Sequence, residues 1–118
     1  MHNPVEKVIT ALTEALNKKF EDFKGMYLFG IHLDGQLHKF DDIELVAIFD
    51  TEDKSKRETI WPIIGKIETD MDVCIDLYPY TQAEFEADEE LYEQVMEEGI
   101  FYDKTGAKQM RADKEIPQ

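Results

Sequence analysis

The run Leu45-Val46-Ala47-Ile48-Phe49 constrains this chain more than any other stretch. Five apolar residues without a polar break read as a strand buried on both faces, because a strand turns alternate side chains to opposite sides. Such a strand lies inside a sheet and needs cover above and below. It is also the longest strictly apolar run in the chain and is far too short to cross a bilayer. No membrane association is expected. The opening Met1-His2-Asn3-Pro4-Val5-Glu6 lacks the basic and apolar regions of a leader, so a cytoplasmic setting is the expectation.

The cover is visible as helical periodicity. Val5, Val8, Ile9, Leu12, Leu16 and Phe20 fall on one helical face behind an Asn3 N-cap, with Lys18 and Lys19 favourably near the negative end of the helix dipole. Gly25 closes that segment, and Met26–Phe29 reads as a short strand. Ser55-Lys56-Arg57-Glu58 fits a capping box for a second helix carrying Ile60, Ile63, Ile64 and Ile67. Pro62 requires that helix either to kink or to begin later, near Trp61. Residues 71–78 alternate as a third strand, with Val73, Ile75 and Leu77 on one face and Asp72, Cys74, Asp76 and Tyr78 on the other. A second capping box at Thr81–Glu84 opens a helix with Leu91, Tyr92, Val95 and Met96 as its buried stripe, ended by Gly99. Ile100-Phe101-Tyr102 reads as a short strand or a packed turn. Residues 104–118 read as a polar, frayed tail. The expected fold class is α/β (α+β): a small mixed sheet flanked by helices in one domain over residues 1–103.

With 27 acidic side chains and a formal net charge of −14, the chain repels nucleic acid and anionic lipid, so direct nucleic-acid binding is not expected. Divalent cations and basic protein surfaces suit it. Cys74 is the only cysteine and reads as a small buried thiol.

The chemistry lies just before the apolar run. Asp42 and Glu44 are one residue apart on a strand, so both face the same way at its solvent end. Two adjacent carboxylates repel and ionise together best around a cation; hard oxygen donors suit Mg²⁺ or Mn²⁺. If the next strand lies alongside, Asp76 or Asp72 supplies a third carboxylate. Three such groups can support two-metal phosphoryl or nucleotidyl transfer. Alternatively, Asp42 merely caps the preceding loop. Gly30 and Gly35 permit close backbone approach to a phosphate, and glycine also serves turns for their own sake. His32 and His38 read as solvated loop residues; Trp61, Tyr78 and Tyr80 suit packing or stacking on a base.

In order and spacing these pieces resemble the minimal nucleotidyltransferase family of the DNA polymerase β superfamily. Phe29-Gly30 is followed by Ile31, ten residues, and then Asp42-Ile43-Glu44-Leu45. Cys74-Ile75-Asp76-Leu77 resembles the segment of the third family carboxylate, and Glu97-Glu98-Gly99-Ile100-Phe101-Tyr102 the family's closing segment. The resemblance implies a site for an NTP with Mg²⁺ or Mn²⁺ and transfer of a nucleoside monophosphate to a hydroxyl. Asp42, Glu44 and Asp76 would hold metal, and Gly30 with the backbone of Ile31 would face the phosphates. The family's serine position is Ile31 here, and His32 and Asp34 stand where arginines are frequent. Those departures keep a second expectation open, a catalytically degenerate member that binds a small basic or helical protein as antitoxins do.

Overall fold

The computed structural model describes residues 4–30 and 42–111, and it carries nine elements. In chain order they are α1 (Pro4–Lys19), β1 (Phe23–Phe29), β2 (Asp42–Phe49), α2 (Lys54–Met71), β3 (Cys74–Thr81), α3 (Gln82–Ala87), α4 (Glu89–Glu98), β4 (Ile100–Asp103) and β5 (Lys108–Arg111). The strands form one sheet in the order β3-β2-β1-β4-β5. The β2–β3 pair is parallel, with α2 as its crossover, and the other pairs are antiparallel. The expected small mixed sheet flanked by helices is the fold. No helix of the described residues is long and apolar enough to cross a membrane.

The apolar run of β2 is covered on both faces, as its composition requires. On one face Leu45, Ala47 and Phe49 pack with Leu12 and Leu16 of α1 and Ile60 and Ile64 of α2. On the other, Val46 and Ile48 pack with Tyr27 and Phe29 of β1, Phe85 of α3 and Val95 of α4. The second cover is short. It reaches Val46 and Ile48 and leaves the beginning of β2 open, so Asp42 is exposed and Glu44 half-buried on that same face.

Several boundaries differ from expectation, each for a local reason. Gly25 does not close α1. It lies within β1 at a register shift, and Phe23 ahead of it pairs with Phe49. The α2 helix starts at Lys54 because Asp53, not Ser55, is its N-cap: the Asp53 carboxylate accepts from the Lys56 amide at 2.8 Å. Pro62 is accommodated inside α2. The β3 strand begins at Cys74 because Asp72, in the left-handed region at φ 55°, ends α2. The Thr81–Glu84 capping box forms as expected, but the helix divides at Asp88. Asp88 caps α4 through the Leu91 amide and accepts from the Tyr80 hydroxyl at 2.8 Å. Ile100–Asp103 is a strand paired with β1. The stretch read as a frayed tail contributes β5, paired with β4. Cys74, read as buried, is exposed on the edge strand. Asn3, His32, Asp34, Gly35 and His38 lie outside the described residues.

Candidate active site

The parallel register of β2 and β3 sets Asp42 beside Cys74, Glu44 beside Asp76 and Val46 beside Tyr78. The period of two therefore gathers Asp42, Glu44, Asp76 and Tyr78 on one face, at the end that α3 and α4 leave open. On the other side of β2, Phe29 is the partner of Glu44, and the chain leaves β1 through Gly30. Asp42, Glu44, Asp76 and Gly30, singled out in the sequence, thus come together at one corner of the sheet. Ile31 lies outside the described residues. Asp72 lies ahead of β3, where its backbone caps the end of α2.

Asp42 and Asp76 are close enough to hydrogen-bond through their carboxyls. Partial burial, the Asp42 hydrogen bond, and the charges of Asp42 and Glu68 push the Asp76 carboxyl above the usual range. Glu68 reaches this edge from α2, where its carboxylate accepts from the Ile75 amide at 2.9 Å. The Tyr78 phenol is also held above its ordinary value, first by burial and then by Asp76, Glu44 and Asp42. Tyr78 is 39% exposed, and its ring lies against Phe29 with centroids 6.4 Å apart.

Gly30 has φ +90°, and a Cβ there would stand 2.4 Å from Glu44 Oε2. The conformation favours glycine, whereas the Glu44 carboxylate, at the end of a flexible side chain, can move aside. Its amide donates to Glu98 Oε1 at 3.1 Å. The carboxylate of Glu98, at the end of α4, is a site feature that the sequence reading did not single out. The signal available was its place just ahead of Gly99 in the closing segment.

Neighbouring carboxylate oxygens are hard donors chemically suited to a divalent cation. Among the described residues no group of three or more His, Cys, Asp or Glu side chains stands arranged to hold a metal ion. The donor chemistry fits a cation, and binding one would require the Asp42–Asp76 pair to open around it. Trp61, by contrast, is 57% exposed on α2, the helix covering the opposite face. Tyr80 is committed to Asp88 and stacks on Phe85.

A nucleotidyltransferase domain matches residues 9–102 of the chain. Among solved structures, the chain is similar to a toxin–antitoxin complex with AMP-PNP: 27% identity, TM-score 0.57, covering 80% of this chain and 68% of that one. It is similar also to a mutant toxin–antitoxin complex, MntA–HpeT: 26% identity, TM-score 0.56, covering 75% of this chain and 66% of that one. A third likeness, of fold alone, is to a tri-AMPylated Shewanella oneidensis HEPN toxin in complex with MNT antitoxin: 22% identity, TM-score 0.53, covering 80% and 68% of the two chains. The chain spans about two thirds of the length of these structures. No protein of curated function matches it.

Proposed function

This chain belongs to the nucleotidyltransferase domain family, and from that premise we propose that it transfers a nucleoside monophosphate from an NTP to a hydroxyl on a protein partner. The observation that carries the reading is the Glu44–Asp76 register, which aligns carboxylates of two strands beside the Gly30 turn. Nucleotidyltransferase domains generally use divalent metals, and Mg²⁺ or Mn²⁺ is the cofactor we assign. Asp42, Glu44 and Asp76 would hold it. When bound, the metal lowers the pKa of the attacking hydroxyl and neutralises charge on the phosphates. Asp76 would also help activate the acceptor hydroxyl, whose proton it would take up. The acceptor oxygen forms a bond to the α-phosphorus, the bond from that phosphorus to the bridging oxygen breaks, and pyrophosphate leaves. Gly30 and Ile31 supply the backbone that faces the phosphates, with no side chain at Gly30 to obstruct them.

The partner we assign is a small helical protein of the HEPN type, by analogy with the complexes to which the chain is similar. A net charge of −14 favours a basic contact surface on it. The test is transfer of label from α-³²P-ATP to a co-expressed HEPN protein with Mg²⁺ or Mn²⁺. Label on the partner, lost in Asp42→Ala, supports the reading; a complex that forms without any transfer refutes the enzymatic part. Ile31 in place of the family's serine, with a net charge of −14, favours a second reading, in which the fold serves as a non-catalytic antitoxin-like module. Salt-sensitive partner binding with no metal-dependent NTP binding is its signature.

A further inference from the structure

Glu98 is the last residue of α4, where the negative end of the helix dipole disfavours an anion. Glu44, another carboxylate, lies against the same glycine. An acid placed against both fields needs a compensating donor. It has two: the Gly30 amide at 3.1 Å and Gln94 Nε2, one helical turn back, also at 3.1 Å. Both bonds go to the same oxygen, Oε1, so Gln94 fixes the carboxylate that in turn fixes Gly30. Gly99 lets this end of α4 close on β1: a Cβ there would meet the Val95 carbonyl at 2.5 Å and the Leu28 carbonyl at 3.3 Å. The arrangement joins α4 to the one residue through which β1 hands the chain to the segment after Gly30.

We propose that Glu98 is a positioning residue for the nucleotide site, holding Gly30 in its left-handed conformation so that the Gly30 backbone presents one geometry to the phosphates. Glycine left to itself samples many conformations, and a charge-assisted hydrogen bond selects one. The inference rests on the nucleotidyltransferase reading above and adds a residue to it. Glu98 touches no reacting atom; it acts through Gly30.

The test uses the full chain in three forms: wild type, Glu98→Ala and Glu98→Gln. Amide exchange at Gly30 is measured by NMR without ligand, and affinity for Mn²⁺ with AMP-PNP is measured by calorimetry. In Glu98→Ala the Gly30 amide should exchange about tenfold faster and the nucleotide should bind about tenfold more weakly, the worth of one hydrogen bond to a charged group. Glu98→Gln, which keeps an acceptor oxygen, should restore most of both. Faster exchange with unchanged nucleotide affinity overturns the positioning role, as does exchange that does not change at all. If wild type itself binds no nucleotide, the functional reading falls and this inference falls with it. That outcome is distinct from the first two, in which wild type binds.

Discussion

Asp76→Asn should make the protein more stable at neutral pH while removing its response to divalent metal. Asp76 faces Glu44 across the β2–β3 register and feels the charges of Asp42 and Glu68. Its carboxyl is held above the ordinary range, so the folded protein binds this proton more tightly than the unfolded chain does. The contribution of Asp76 is therefore most favourable below the unfolded aspartate value and is lost as pH rises through its raised folded value. At pH 7.5 the ionised group is a net cost. Two unit charges near 4 Å in water-like surroundings repel by about 1 kcal/mol, and exposure with salt screening reduces this to about 0.5 kcal/mol. Asparagine keeps the shape and removes the charge, so Tm should rise by about 2 °C in low salt. The gain should shrink as the pH is lowered from 7.5 towards 5. Millimolar Mn²⁺ should raise Tm of the wild type by mass action and leave Asp76→Asn unchanged. Scanning calorimetry over this pH range, with and without MnCl₂, reads all three effects. A variant that melts lower at pH 7.5, or that Mn²⁺ stabilises as much as wild type, refutes the electrostatic account of the site.

The Tyr78 phenol reports the same charges from the side: with Mn²⁺ bound to the carboxylates, its ionisation, followed by absorbance at 295 nm, should move to lower pH, and no movement would place the metal elsewhere. Lys56→Met should cost about 3 kcal/mol of unfolding free energy, measured by urea denaturation. The Lys56 ammonium is nearly buried, bonded to Asp22 at 2.6 Å and to the Thr51 carbonyl at 2.7 Å, and sits 4.6 Å from the Phe49 ring centroid, so the variant leaves Asp22 with only its Thr51 donors. Thr13→Val should stabilise by about 1 kcal/mol in the same assay, because the buried Thr13 hydroxyl has no partner among the described residues.

The sequence disclosed the parts of this fold that rest on periodicity. The run Leu45–Phe49 announced a strand buried on both faces, and the one-residue spacing of Asp42 and Glu44 announced a shared direction. Asp76 was legible as a candidate, but its meeting with Glu44 depended on strand adjacency. Only the parallel pairing of β2 and β3, which begins at Cys74, supplied that. What could not be read depended on side chains competing for backbone donors. The Ser55–Glu58 pattern fitted a cap for α2, but Asp53, two residues earlier, is the one whose carboxylate reaches a free amide. Asp88 looked like one acid among many in an acidic helix, yet its bonds to the Leu91 amide and the Tyr80 hydroxyl divide that helix in two. β5 is short and polar, and its pairing with β4 leaves no hydrophobic alternation to detect. Glu98 stayed invisible for the same reason: its partner, Gly30, is 68 residues away.

The central claim is that Asp42, Glu44 and Asp76 form one metal–nucleotide site beside Gly30. The most direct measurement is a crystal structure with Mn²⁺ and AMP-PNP, with anomalous scattering used to locate the manganese. The account predicts manganese between the carboxylates of β2 and β3, with the phosphates against the backbone at Gly30 and Ile31. Manganese bound elsewhere, or no nucleotide beside Gly30, would contradict the claim.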